Sequence, residues 1–225
     1  AIFGIAMGIV LLPSLSKSIK KDHIEEIQIT QNRSLEFCLL ISIPSAVGLY
    51  ILATPIIYIL FERGAFLSED TYYTSQVLSI FALGLPAYIL IKVLVTCFFA
   101  REDTKTPLYV SIISVVINVV LSLILIKTMR EMGIALATAI SSWINAFLLF
   151  IILYLRNNFK PDKKIIKNLL KILISALVIG FICYFLNLLL FPEISTQQMI
   201  INILALILII IVCNIIYVLM IFMLK

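Results

Sequence analysis

Of the 225 residues, 63% are hydrophobic and only 13% are charged, where soluble globular proteins run at roughly 45–50% apolar and about 25% charged. Such a chain lacks the polar surface to cover a globule in water, so a soluble domain is excluded. The formal charge of +5 does not point to nucleic acid, because Lys and Arg stand between hydrophobic runs and form no single basic stripe. The runs reach about 20 residues, enough to cross about 30 Å of hydrocarbon as helix. They are apolar on every face, which disfavours an outer-membrane barrel of alternating strands. Helices are the remaining way to satisfy a backbone inside lipid, and the expected fold class is all-α, a polytopic membrane helix bundle.

In chain order, Ala1 to about Leu15 is apolar but too short to span, so it is expected to be the second half of a helix that begins upstream. The stretch from Ser16 to Glu36 is polar, with Lys17, Lys20, Lys21 and Arg33 and with Ile24 and Ile27 at helical spacing. It is expected to lie along the membrane surface. Full spans are then expected at about Phe37–Leu60, Thr74–Ala100, Pro107–Ile126, Gly133–Leu155, Asn168–Leu190 and Gln198–Leu224, making one partial and six complete helices. Pro44, Gly48 and Pro55 fall in the first complete span, and Gly84 and Pro86 in the second. Such residues break the backbone ladder and permit kinks, which membrane helices tolerate and transporters use. Cys38, Cys97, Cys183 and Cys213 all lie in apolar runs without metal-ligand spacing and read as small packing residues. Gly4-Ile5-Ala6-Met7 is echoed by Gly133-Ile134-Ala135-Leu136, a match too short to establish a repeat.

Letting the loops alternate sides places Lys17, Lys20, Lys21, Arg33, Arg101, Lys105, Arg156, Lys160, Lys163, Lys164, Lys167 and Lys225 together, against Arg63, Lys127 and Arg130. Twelve cations against three put the first side, and with it the C-terminus, in the cytoplasm.

Lys92 is the charge deepest in a span, about eight residues or roughly 12 Å from its basic end. A lysine at a helix centre costs roughly 2.5–3.5 kcal/mol on insertion scales, and at this depth the ammonium does not reach the headgroups fully. A water-filled cavity is the favoured surrounding. There Lys92 would attract an anionic substrate group or pair with a carboxylate from elsewhere; the plainer alternative is a buried lysine bonded to backbone carbonyls. Asn118 and Asn145 are further cavity candidates, although intramembrane amides more often tie helices together. Arg101 and Lys105 belong to the charged link Arg101-Glu102-Asp103-Thr104-Lys105-Thr106-Pro107, read as a solvated hinge with Thr106 as N-cap and Pro107 in the first turn. Arg63 stands at the opposite mouth, to meet an anion or to cap a helix end. His23 has no nucleophile or carboxylate partners in a catalytic pattern, and no metal site is expected. No Gly-Lys-Ser or Gly-Lys-Thr occurs, so the chain is expected to use no ATP and no cofactor. Transport would draw on an ion gradient, the membrane potential or the substrate gradient.

A family resemblance rests on several blocks in order. Gly4-Ile5-Ala6-Met7-Gly8-Ile9-Val10-Leu11-Leu12-Pro13-Ser14-Leu15-Ser16-Lys17-Ser18 resembles the end of the eighth helix of the MurJ (MviN) lipid II flippases. Ile43-Pro44-Ser45-Ala46-Val47-Gly48-Leu49, Phe61-Glu62-Arg63-Gly64-Ala65-Phe66, Ala82-Leu83-Gly84-Leu85-Pro86, Lys92-Val93-Leu94 and Phe98-Phe99-Ala100 with the charged link follow in the same order. The similarity runs to about Leu155; the last two helices agree in position and hydrophobicity.

The resemblance implies the C-lobe of a fourteen-helix exporter of the multidrug/oligosaccharidyl-lipid/polysaccharide superfamily, from the end of helix eight through helix fourteen. Residues 1–155 would form the C-lobe of the core, and residues 156–225 two additional helices that make a lipid-tail groove. It implies transport of the undecaprenyl-pyrophosphate-linked peptidoglycan precursor across the bacterial cytoplasmic membrane by alternating access, serving cell-wall biogenesis. The partners implied are lipid II, membrane lipids, an N-terminal lobe and cell-wall synthesis proteins. The family's essential basic residues lie mostly in that N-terminal lobe, so none of their roles carries over, and the chain alone is expected to be inactive. The alternatives are a related polysaccharide or drug exporter and a non-transporting membrane scaffold for cell-wall synthesis.

Overall fold

The computed structural model of the chain describes residues 11–19, 23–191 and 199–223, and every regular element among them is helical. Helix α1 occupies 11–19. It is followed by α2 (Ile24–Ile51), α3 (Ala53–Phe61), α4 (Ser68–Phe99), α5 (Lys105–Met129), α6 (Glu131–Leu155), α7 (Lys163–Leu190) and α8 (Met199–Met223). Six of these, α2 and α4 to α8, are long and apolar enough to cross a membrane. The expected partial first helix falls largely on residues 1–10, outside the described residues, as does the first half of the Gly4–Met7 echo.

Two boundaries differ from the sequence reading. Ile24–Glu36 is no separate segment but the first half of α2, continuous to Ile51. Its polar residues are absorbed in two ways: Gln31 and Asn32 are buried, and Arg33 pairs with Glu36 one turn on, at 2.7 Å. The expected span Phe37–Leu60 is split at Leu52, which has φ −92 and ψ 10. Pro55 explains where the split falls. Its ring crowds the carbonyl four residues back and offers it no N–H, and that residue is Ile51, the last of α2. Little bonding is lost, since Leu52 N–H donates to Gly48 O at 2.9 Å and Ile56 N–H to Leu52 O at 3.0 Å. Pro44 and Pro86, by contrast, stay inside α2 and α4.

The helices gather into two compact units, one of Ala1–Ser42 with Gly84–Leu170 and the other of Ile43–Leu83 with Lys171–Lys225. In the first, α4 presents Val93, Leu94, Cys97 and Phe98, and α6 presents Leu149 and Leu153, to one core closed by Leu15 and Phe159. Lipid tails are as apolar as leucine, so these contacts stabilise the unit by close packing and not by escape from water. The same reasoning means that the exposed Val116, Val119 and Leu123 on α5 carry no penalty in a lipid surrounding.

Helices α5 and α6 form a hairpin turning at Arg130, whose φ is 48. A Cβ on Gly133 would stand 2.6 Å from the backbone carbonyl of Leu125, so only glycine permits this approach. Gly133, Ala137, Ser141 and Asn145 continue the buried face at intervals of four, the small-residue spacing by which membrane helices approach closely. The core of the second unit joins Leu52, Ile179 and Cys183 to Ile209, Cys213 and Tyr217. All four cysteines are free and buried.

Candidate functional site

Lys92 sits on α4 as an exposed residue immediately before Val93, which is fully buried. The side chain therefore leaves the core, and the alternative of a buried lysine bonded to carbonyls is not realised. The carbonyl of Lys92 accepts from Thr96 Oγ1 at 2.8 Å, an ordinary bond within the helix. Among the described residues no ion pair holds its ammonium.

Asn118 lies on the seam between α5 and α6, and Asn145 lies on the buried face of α6. Asn118 Nδ2 donates to Ser141 Oγ at 3.0 Å and Thr138 Oγ1 at 3.2 Å, while its Oδ1 accepts from Ser122 Oγ at 3.3 Å. The two donations from Nδ2 tie the helices together, and the third bond lies within α5. Asn145, one turn beyond Ser141 on the same face, is 8% exposed, and its Oδ1 is buried without a hydrogen-bond partner in the protein. An unmet buried acceptor costs about 1–3 kcal/mol, a cost that Asn145 shares with Ser42, Tyr58, Tyr88, Ser175 and Asn187. No hydrogen bond or ion pair among the described residues joins Lys92 to either amide.

The charged link after α4 is held more tightly than its sequence suggests. Arg101 Nη1 donates to Cys97 O and Nη2 to Asn158 O, both at 2.8 Å. Gln31, fully buried, completes the pair: in the amide orientation that satisfies its neighbours, its N donates to Asn158 O at 3.0 Å and its O accepts from Arg101 Nη1 at 3.1 Å. Burial pulls the Arg101 guanidinium below its ordinary value, though an arginine stays charged in any protein setting.

Asp103, and not Thr106, caps α5. Its Oδ2 accepts from the Thr106 hydroxyl at 2.6 Å and its Oδ1 from the Thr106 N–H at 3.0 Å. Arg156 Nη1 reaches the same carboxylate at 2.7 Å. The Thr106 bonds first, and Arg156 after them, hold the Asp103 pKa down at about 2. Thr106 is thus a donor to the cap, and Pro107 does fall in the first turn. Lys105 begins α5 and is exposed.

The start of α2 joins this same end of the first unit. Lys160 N–H donates to Gln28 Oε1 at 2.7 Å, Asn32 Nδ2 to Lys160 O at 3.0 Å, and Asn168 Nδ2 to Glu36 Oε1 at 2.6 Å. In the second unit, Arg63 Nη2 donates to Ile59 O at 2.9 Å, closing the end of α3 beside Gly64 at φ 59. Of its two sequence readings, helix capping is the one seen.

Sequence reasoning missed Gln31, Asn32 and Asn158. A signal existed for the first: Ile27, Gln31, Leu35 and Cys38 follow helical spacing, and a polar residue within an apolar stripe requires a buried partner. Asn158 contributes only its backbone, and no residue pattern signals that.

Six helices of membrane-spanning length and composition define a multi-pass α-helical membrane protein. The family model for lipid II flippase MurJ matches residues 1–205, and the chain belongs to that family of transporters. It is 49% identical over 116 residues to a probable lipid II flippase MurJ of Rhizobium tropici, covering 52% of this chain and 22% of that protein. It is 44% identical over 117 residues to one from Rickettsia prowazekii, covering 52% and 23%. A solved structure of lipid II flippase MurJ in an inward closed conformation superposes with a TM-score of 0.73 at 31% identity, covering 94% of this chain and 42% of that one. The chain thus spans less than half the length of these proteins.

Proposed function

We propose that this chain is the C-terminal lobe of a lipid II flippase in the bacterial cytoplasmic membrane, moving the undecaprenyl-pyrophosphate-linked precursor by alternating access. The family match over residues 1–205 carries the reading. Lys92 is the residue we assign to the pyrophosphate: a deep, exposed cation on α4, outside the described ion pairs, suits an anionic headgroup crossing a low-dielectric medium. Arg101 and Lys105 belong to the link at the basic end, and Arg63 to the opposite mouth. The energy comes from an ion gradient, the membrane potential or the substrate gradient.

The chain alone lacks one wall of such a cavity, and its working partner is an N-terminal lobe. Vesicles reconstituted with the full-length protein are expected to translocate lipid II in preference to a lipid-linked polysaccharide. The reverse preference would replace this reading with that of a related exporter. Orientation is testable separately. The links after α4 and α6 and the start of α2 share one end of the first unit, as the alternation of loops requires, and that end is assigned to the cytoplasm together with the C-terminus. A cysteine placed at Lys127 is expected to react with an impermeant maleimide in spheroplasts, and one at Lys160 to react only after permeabilisation.

A further inference from the structure

The first unit contains a cavity of about 350 Å³ with an almost wholly apolar wall, a size within the roughly 300–1,000 Å³ of small-molecule sites. Leu39 of α2, Leu94 of α4, Trp143 and Phe147 of α6, Phe159 of the following link and Ile166 of α7 line it. Trp143, Phe147 and Ile166 are 44%, 63% and 54% exposed, so the cavity is a groove open on one side between α6 and α7.

Pro161 lines this groove and also a second recess of about 460 Å³, which it shares with Tyr154, Asn157 and Lys160. Pro161 thus stands between the apolar groove and a mixed recess at the basic end of the unit, which Lys160 also lines. Lys163, Lys164 and Lys167 follow on the first turns of α7. All four lysines are exposed, and no ion pair among the described residues neutralises them. Among the neighbouring charges Arg156 pairs with Asp103 and Arg33 with Glu36, while Asp162 caps α7 through the Ile165 N–H at 2.6 Å and keeps its negative charge, one carboxylate beside four lysines.

We infer that the groove and recess form a binding site for an anionic glycerophospholipid, with an acyl chain along Leu94, Trp143 and Phe147 and the phosphate against Lys160, Lys163 and Lys167. The charge pattern selects this occupant. A zwitterionic lipid would fill the groove as well but would leave four cations facing its own ammonium, whereas an anionic headgroup meets them at the depth where headgroups lie. The site is independent of the flippase reading, since it uses neither Lys92 nor the amide seam.

Trp143 is the chain's only tryptophan and lines the groove, so its fluorescence reports the occupant. The 225-residue chain is reconstituted in phosphatidylcholine nanodiscs containing a small fraction of lipid with brominated acyl chains, either phosphatidylglycerol or phosphatidylcholine. Brominated phosphatidylglycerol is expected to quench Trp143 several-fold more than the choline lipid at equal fraction. Lys160→Gln, Lys163→Gln and Lys167→Gln together are expected to remove the excess, and Lys127→Gln to leave it. Because these lysines are exposed, the substitutions leave the core intact. Equal quenching by the two lipids would reduce the site to ordinary lipid contact and overturn the proposal. So would an absence of quenching by either, the mark of a groove covered by protein, or an excess that survives the triple substitution.

Discussion

The basic end of the first unit and the middle of α4 treat the same chemistry in opposite ways. At the basic end Arg101 and Arg156 hold two helix C-termini, a cap and a buried amide within hydrogen-bond distance. Seven residues before the last residue of α4 stands Lys92, a cation that the described ion pairs leave out. The seam between α5 and α6 repeats the contrast in neutral form, with Asn118 fully engaged and Asn145 Oδ1 orphaned one turn beyond Ser141. Polar groups inside a membrane are expensive to leave unmet, so tied ones are explained by the structure they hold together. Untied ones call for an explanation outside the chain.

The largest effect expected from this contrast is functional. Lys92→Ala in the full-length protein should reduce lipid II transport by about ten- to a hundredfold, the equivalent of losing one charge-assisted bond of roughly 1.5–3 kcal/mol. Lys127→Ala should leave transport near wild type, because Lys127 is exposed at the end of α5. Complementation of a flippase-depleted strain at matched membrane levels reads both, and equal activity of the two variants would erase the distinction. Arg101→Ala should act on the other side of the comparison. It abandons the Cys97 and Asn158 carbonyls and the Gln31 amide, lowering stability by about 1–3 kcal/mol, with transport per folded molecule unchanged. Arg101→Lys should recover only part of this, since an ammonium cannot fork to several acceptors in fixed geometry. Thermal unfolding in detergent separates the three proteins.

Hydropathy made the spans legible, since membrane-length apolar runs have few other physical solutions. It could not place the break at Leu52, because what ends α2 is a proline three residues further on acting on a carbonyl behind it. Nor could it see that Ile24–Glu36 continues into α2, since the polar residues there are satisfied by partners some 130 residues away in sequence, in the link after α6 and the start of α7: Asn32 with Lys160 and Glu36 with Asn168. Lys92 was legible for the opposite reason, as a charge deep in a leucine-rich run needs no partner to be conspicuous. Asp103 was hidden behind Thr106. Both residue types cap helices, and only the geometry shows the carboxylate accepting from the threonine's hydroxyl and N–H.

A smaller effect tests the seam. Asn118→Ala removes two donations to α6 and should destabilise the protein by about 1 kcal/mol, the scale of interhelical hydrogen bonds in lipid. Gly133→Ala is the control for packing on the same seam. Its Cβ would meet Leu125 backbone atoms at 2.6 Å, which cannot rotate aside, so it should destabilise by about 1–3 kcal/mol through overpacking. Chemical unfolding of both variants in the same detergent gives the ranking. A silent Asn118→Ala would mean that close packing alone joins α5 to α6.

The smallest effect is the pH dependence of the link itself. The Asp103 carboxyl titrates at about 2 in the folded protein against an ordinary 3.8, because its ionised form accepts from Thr106 and Arg156. A carboxylate with a depressed folded pKa stabilises the folded state fully above its unfolded pKa, and that contribution drains away as pH falls through the folded one. Wild type should therefore lose stability relative to Asp103→Asn between about pH 4 and pH 2. The difference stays within about 1 kcal/mol, since its Arg156 partner is 48% exposed. Melting temperatures of the two proteins from pH 6 to pH 2 should converge in that window. Parallel curves across it would show that hydrogen-bond geometry, which an asparagine largely keeps, holds the link, and that the negative charge of Asp103 does not.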